Sequence, residues 1–345
     1  MIKQFLAVGA IAVGLATTSI LLMCNRMQEV EGLAHHDGSS VPSKVKIFVC
    51  YHKPFDTLMG RDIFVPIHAG RALGTKTPFH VGDGLKVSVV KNVMLNDAGY
   101  RWLLNNAIGD DTGNNISLQN RSYCELTAVY WIWKNYKQLD SLDYVGLMHY
   151  RRHFIFRKDY RLTLFERIRS LFSKNKSFVR VKVMDGGYEE RFGLDAETVR
   201  KRIAGYDIIA PVPQDLLMTV YLSFKLNQRI EYLDTALEVL RQMYPEYVDV
   251  AEECMRSFSA NWGNMFIMKP AVFKEYCSFV FNVMQEIKKR VSGSLDHSNL
   301  KHAHAAYIIE RLWIIWLAYH KKVGKYKILE LPRTWIANAS NVINR

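Results

Sequence analysis

The segment HYRRH, residues 149–153, directly follows the apolar run YVGLM, residues 144–148, so a predicted strand ends in cationic and ring side chains. A guanidinium group presents a planar fork of N–H donors that matches phosphate oxygens. Side chains alternate between the faces of a strand, so the two arginines would point to opposite faces. The pattern predicts that one arginine binds a diphosphate while the other forms an ion pair. Two arginines in structural salt bridges are the alternative.

Common catalytic and phosphate-binding motifs are missing elsewhere in the sequence. The chain contains no P-loop, GxSxG, HExxH or Asp-x-Asp motif, and no GxGxxG after a predicted strand. His302 and His304 are one residue apart, but no third ligand accompanies them, so we do not predict a metal site there. The chemistry must therefore come from a less familiar arrangement.

The elements that would position these residues alternate between strands and helices. An S-x-x-E pattern at Ser122 and Glu125 predicts a helix capping box, and Pro270 predicts a helix start. The predicted strands are 44–53, 143–148, 206–211 and 264–268, and the predicted helices include 195–203, 230–244, 246–255 and 300–320. This alternation predicts an α/β fold with a mainly parallel sheet, in which ligands bind beyond the carboxyl ends of the strands.

Composition and charge limit the classes of partner. The 345 residues are 49% hydrophobic, which is enough for a large core and excludes bulk disorder. The net charge of +13 fits nucleic acid, anionic lipid or a phosphorylated substrate. No aromatic and basic nucleic-acid module is present, so we predict no nucleic-acid partner. The five cysteines form no CxxC pair, which indicates buried thiols in a reducing compartment.

Two segments suggest contact with a membrane. Phe5 to Cys24 carries no charged residue and is about as long as a membrane-spanning helix. We predict an anchor helix at 1–24, with a cleaved signal peptide as the alternative, and a polar stalk at 25–43. Residues 151–182 are strongly basic, and LTLFERIRSLF within them would form an amphipathic helix. That helix would lie on an anionic membrane or pack on the domain.

Five blocks, in order, resemble the DUF4422 family of glycosyltransferase-like proteins from bacterial capsule, exopolysaccharide and O-antigen clusters. The resemblance covers about residues 45–332 and implies a GT-A-like, Rossmann-like nucleotide-sugar-binding domain, which we place at 44–335 with a tail at 336–345. The blocks are IFVCYHKPF, GDDTGNNISLQNRSYCELTAVYWIWKN, DYVGLMHYRRHF, GNMFIMKPAVFKEYC and YIIERL.

The resemblance also implies roles for individual residues. It places the donor diphosphate at His149, Arg151 and Arg152, the nucleotide or sugar at His52, Lys53, Asn115, Asn120, Tyr123 and Glu125, and the acceptor at Asn264 and Met265. Because Asp-x-Asp is missing, fixed cations could replace the divalent ion that usually holds the diphosphate. If Mn²⁺ or Mg²⁺ is used instead, Asp110 and Asp111 are the fallback ligands.

An inverting transferase needs a carboxylate that deprotonates the acceptor hydroxyl. Glu310 is the first candidate, because a buried acid on an apolar helix needs a reason. Asp111 is the second candidate. The structural alternative for Glu310 is an ion pair with Arg311 or another core arginine.

The predicted function is therefore transfer of a hexosyl group from a nucleotide sugar, expected to be UDP-linked, to a glycan or lipid-diphosphate-linked acceptor. The enzyme would be anchored in the inner membrane, with its catalytic domain in the cytoplasm; a luminal arrangement is the alternative for a non-bacterial source. A second hypothesis is a membrane-tethered glycan-binding protein without catalytic activity, on a transferase-like fold.

Overall fold

The computed structural model describes residues 40–55, 62–74, 80–81, 85–86, 97–163, 177–291 and 304–337. All elements below belong to the unit Val41–Arg345. The predicted anchor, most of the stalk, residues 164–176 of the basic segment and the tail after 337 lie outside the described residues. Within the described ranges, no helix is both long and apolar enough to cross a membrane.

Strands and helices alternate along most of the chain. The strands are β1 (Val45–Tyr51), β2 (Phe64–His68), β3 (His80–Val81), β4 (Leu85–Lys86), β5 (Ile108–Gly109), β6 (Tyr144–His149), β7 (Phe178–Val181), β8 (Ile208–Pro211), β9 (Gln214–Asp215), β10 (Ser259–Ala260), β11 (Phe266–Met268), β12 (Ile328–Leu331) and β13 (Arg333–Ile336). The α-helices are α1 (Asp97–Asn106), α2 (Asn120–Tyr123), α3 (Leu126–Asn135), α4 (Tyr188–Phe192), α5 (Ala196–Ile203), α6 (Val220–Lys225), α7 (Ile230–Met243), α8 (Val248–Arg256), α9 (Pro270–Arg290) and α10 (His304–Val323). Short 3-10 turns occupy Arg71–Gly74, Ser117–Gln119, Leu139–Ser141 and Pro245–Tyr247.

A seven-stranded sheet with the order β12-β8-β11-β6-β1-β2-β5 forms the centre of the fold. Every pairing in it is parallel except those of β11, which runs antiparallel to both β6 and β8. The predicted α/β fold with a mainly parallel sheet is confirmed. Because β11 is reversed, the residues before it lie at the edge where β1 and β6 end. We call this edge the carboxyl edge.

Two hydrophobic clusters cover the faces of this sheet. One joins the sheet to α3, α7, α9 and α10 and contains the fully buried Trp313 and Trp316. The other contains Tyr188 and Phe192 of α4 together with Phe154, which follows β6. Burial of such large side chains typically stabilises a fold by about 3–5 kcal/mol each, judged by truncation to alanine. The sheet is therefore packed on both faces by large buried side chains.

The start of α3 differs from the expected capping box. Asp195 does cap α5 as predicted, accepting a hydrogen bond from the Thr198 N–H at 2.8 Å. Ser122, however, lies in α2, and Glu125 precedes α3 without capping it through its side chain. Cys124 separates the two helices with a φ of 48°. The Glu125 carboxylate is consequently directed elsewhere, into the site described next.

Candidate active site

The segment after β6 is a tight turn rather than a continued strand. The His149 N–H donates to the Arg152 carbonyl at 3.3 Å, and the Arg152 N–H donates to the His149 carbonyl at 3.0 Å. The turn places His149 opposite Arg152, so the strand alternation that we predicted for this segment ends at His149. The pairing therefore places Arg152, and not Arg151, opposite His149.

The two arginines lie against different aromatic rings. The Arg152 guanidinium carbon lies 4.5 Å from the ring centre of Trp335, and that of Arg151 lies 5.5 Å from the ring centre of Tyr150. In the part of the chain that the structure describes, neither arginine forms an ion pair. The alternative of two structural salt bridges therefore has no support among these residues, and both arginines directly follow β6 at the carboxyl edge.

His149 is a neutral, positioned ring rather than a cation. Its Nε2 donates a hydrogen bond to the Gly263 carbonyl at 3.0 Å. Burial, followed by the positive charge of Arg152, lowers the pKa of His149 to about 3. With this pKa the ring is neutral near pH 7, so fixed positive charge at this position would come from the arginines. Its visible role is to connect β6 to the turn before β11.

The turn before β11 also binds two carboxylates, which accept hydrogen bonds from two consecutive residues of the turn. The Asn264 amide donates to Glu125 Oε1 at 2.9 Å, and the Gly263 N–H donates to Glu310 Oε1 at 2.9 Å. Glu310 also accepts from Arg311 at 3.2 Å, so the expected ion pair is present. Burial raises the pKa of both carboxyl groups. Two acids, both with raised pKa values, thus share one site with Arg152.

The backbone around these acids is strained. Cys124 and Asn264 have φ values of 48° and 43°, in a region that residues other than glycine rarely occupy, and Gly263 has a φ of 113°. Such conformations cost on the order of 1–3 kcal/mol each and often occur at functional sites. Asn264 is 3% exposed, and its Oδ1 has no hydrogen-bond partner. This unpaired oxygen belongs to the same turn that holds the carboxylates.

Asp110 has a structural environment that leaves no free oxygen. It accepts backbone N–H groups of Gly70 at 2.7 Å and Arg71 at 3.1 Å, and hydroxyl groups of Ser117 and Thr127 at 2.5 Å each. Its proposed fallback role as a metal ligand does not fit this arrangement. Among the residues with described coordinates, no three His, Cys, Asp or Glu side chains are grouped to hold a metal ion.

The remaining predicted residues are distributed along the carboxyl edge. Asp111 pairs with Arg71 beside β5, three strands away from β6, so it is not brought to the Glu310 carboxylate. His52 is exposed, and its Nε2 lies 3.4 Å from the Tyr150 hydroxyl. Lys53, next to it, is half-buried. These residues line the end of β1, next to the turn after β6.

Three polar residues between β5 and α3 support the local backbone or pack inside it. Asn115 accepts from the Ser117 N–H at 3.1 Å, and Asn120 donates to the Cys124 carbonyl at 2.6 Å. Burial raises the pKa of Tyr123 to about 12. Met265, predicted on the acceptor side, is fully buried in the core and has no access to an acceptor.

Two residues of the site were missed at the sequence level. Arg333 and Trp335 of β13 lie beside Arg152, although they are far from it in sequence. Nothing in the spacing around them suggests a site, since they simply follow Pro332 in a short strand. The only signal in the local sequence is the charge of Arg333, and the structure shows that this side chain is only 5% exposed.

The fold and site thus define a mixed α/β protein whose polar residues collect at the carboxyl edge of a parallel-rich sheet. The chain belongs to the family described as a domain of unknown function, DUF4422, which matches residues 46–322.

A solved structure titled as the apo form of the bifunctional glycosyltransferase WbbM is similar to this chain, with 28% identity and a TM-score of 0.67. The match covers 86% of this chain and 46% of that one, so the present chain spans less than half of that protein. No protein in the curated comparison matches. The similarity supports a glycosyltransferase-like protein.

Proposed function

We propose that this protein is a glycosyltransferase with a GT-A-like domain, which transfers a hexosyl group from a UDP-sugar to a glycan or lipid-diphosphate-linked acceptor in surface polysaccharide synthesis. One observation carries the proposal. Glu125 and Glu310 are held by consecutive residues of one turn, beside Arg152 at the carboxyl edge of β6. The likeness to a glycosyltransferase over most of the chain agrees with this reading.

The fixed positive charges would act on the donor diphosphate. When the bond to the sugar breaks, negative charge develops on the departing nucleoside diphosphate, and a preorganised cation stabilises it. The positive charge of Arg152 acts on both carboxylates, and Arg151 extends the positive surface towards β1. In this proposal the arginines do the work that a divalent ion performs in other transferases of this fold.

The two carboxylates would take different parts. Glu310 is the proposed base, because its pairing with Arg311 and with the Gly263 N–H favours the ionised form that accepts a proton. Glu125 has an amide partner but, among the described residues, no ion pair. It is suited to binding a sugar hydroxyl. The acceptor hydroxyl would lose its proton to Glu310 as its oxygen bonds to the sugar carbon and the diphosphate leaves.

The location remains part of the proposal. The charge-free segment Phe5–Cys24 would anchor the chain in the inner membrane. Because bacterial nucleotide sugars are cytoplasmic, the catalytic domain would face the cytoplasm. A lipid-linked acceptor would then be presented at the same membrane.

The experiment uses the full chain in detergent, incubated with a panel of UDP-hexoses, with release of UDP as the signal. Glu310→Gln should lower turnover by about 10²–10⁴-fold, the usual contribution of a general base. Glu286→Gln on α9, which removes a surface carboxylate paired with Lys289, is the matched control and should leave turnover unchanged. Normal turnover by Glu310→Gln would remove Glu310 as the base. Glycan binding without any nucleotide effect would instead favour the non-catalytic alternative.

A further inference from the structure

Strand β13 places a second arginine beside Arg152. Arg333 and Trp335 are two residues apart in this strand and therefore share a face. Trp335 is the ring on which Arg152 lies, with its guanidinium carbon 4.5 Å from the ring centre. Arg333 forms an antiparallel bridge with Phe154, so β13 runs beside the segment that carries Arg152. Two guanidinium groups are consequently held next to each other at the carboxyl edge.

Arg333 is buried without a full set of partners. It is 5% exposed, and its Nη2 donates to the Gln214 side-chain oxygen at 3.1 Å. Its Nη1 is buried and has no hydrogen-bond partner. No carboxylate of the described chain forms an ion pair with it. A buried cation without an ion-pair partner costs the folded state free energy unless another group compensates its charge.

The electrostatics agree with an unmet need for negative charge. Burial, and then the positive charge of Arg152, lowers the pKa of Arg333 to about 10. The Glu310 carboxylate opposes this shift but lies outside ion-pair distance. Buried polar groups in native folds nearly always have a hydrogen-bond partner, so the unpaired Nη1 of Arg333 calls for one.

The surroundings indicate the size and chemistry of that ligand. A Cβ atom at Gly263 would lie 4.0 Å from the Arg333 guanidinium carbon, so the turn that holds both carboxylates also borders Arg333. Two guanidinium forks offer parallel N–H donors to an anion with several oxygens, and phosphate groups fit this geometry best. A single carboxylate would satisfy only one of them.

We propose that Arg152 and Arg333 together form a clamp for the diphosphate of the nucleotide-sugar donor, with Arg333 as its buried half. This proposal rests on the proposed transferase function and deepens it. Arg333 lies beyond residues 46–322, the range that matches the family. Arg151 is not part of the clamp, because it lies over Tyr150, which stacks on Tyr51 at the end of β1.

The clamp is tested by titration calorimetry of the full chain in detergent, with UDP and with inorganic pyrophosphate as separate ligands. Arg333→Met should raise the Kd of both by at least about 30-fold, because both share the two phosphates. Arg151→Met should raise them by less. Arg256→Met on α8 removes a surface arginine that pairs with Glu252, and it should leave both Kd values unchanged.

The thermal midpoint without ligand separates a binding role from a structural one. Removing an uncompensated buried cation beside Arg152 should leave the midpoint of Arg333→Met equal to or above that of the wild type. A structural Arg333 would lower it. Arg333→Lys keeps the charge but loses the fork, and it should bind both ligands with intermediate affinity. If Arg333→Met does not fold, the affinities of Arg333→Lys for the two ligands test the clamp.

The outcomes distinguish this inference from the function on which it rests. If the wild type binds UDP and both Arg333 variants bind it equally well, the clamp is refuted while the transferase proposal stands. If the wild type binds neither UDP nor pyrophosphate, the proposed function itself fails.

Discussion

Asp110 links the turn after β2 to the start of α3 through hydrogen bonds. The variant Asp110→Asn tests how much these bonds contribute to the free energy of unfolding. The two side-chain oxygens each accept one backbone N–H and one hydroxyl group. Whichever oxygen the amide nitrogen replaces, one buried backbone N–H loses its acceptor, at a cost of about 1–3 kcal/mol. Losing the hydroxyl bond adds about 1 kcal/mol, so we expect a total of about 2–4 kcal/mol.

The assay is urea unfolding of the full chain in detergent, with Asp111→Asn as the matched control. Asp111 is adjacent in sequence but partly exposed, and its visible partner is Arg71. An exposed pair of this kind contributes about 0–1 kcal/mol. A larger loss of unfolding free energy for Asp111→Asn than for Asp110→Asn would refute the reasoning. The reasoning would also be refuted if Mn²⁺ raised the unfolding free energy of the wild type but not that of Asp110→Asn.

Two further predictions concern the core and the carboxylates. Gly146→Ala in β6 should destabilise the fold by about 1–3 kcal/mol, because its Cβ would lie 2.8 Å from an Ile267 side-chain carbon. Gly186→Ala, whose Cβ meets no atom within 4 Å, should change thermal stability little. Burial raises the pKa of Glu125, so its ionised form costs the folded state free energy as pH rises through that pKa. Glu125→Gln should therefore raise the thermal midpoint at pH 7.5 but not near pH 4, and an equal change at both would contradict this.

The general architecture could be predicted from local patterns because local rules determine it. The apolar run before His149 is a buried strand, α5 begins after the Asp195 cap, and α9 begins at Pro270. Each of these features depends on residues within a few positions of one another. Hydrophobic periodicity and capping preferences therefore sufficed.

The site could be predicted only in part, since it depends on contacts between distant residues. Glu125 and Asn264 are 139 positions apart, and Cys124, next to Glu125, has a positive φ in place of the expected capping box. The turn after β6 pairs His149 with Arg152 through two backbone hydrogen bonds, where a continued strand was expected. Arg333 reaches the site through a separate small sheet with β7. No local sequence pattern predicts these three features.

The most direct test of the account is the binding of nucleotides to the full chain in detergent, measured by thermal unfolding. UDP, GDP and CMP and their sugars are compared with and without EDTA, because a ligand that binds only the folded state raises its stability. The account predicts a rise in the midpoint with UDP and UDP-sugars that EDTA does not remove. Loss of the rise in EDTA and its return with Mn²⁺ would contradict the use of arginines in place of a metal ion. No rise with any nucleotide would contradict the proposed transferase function.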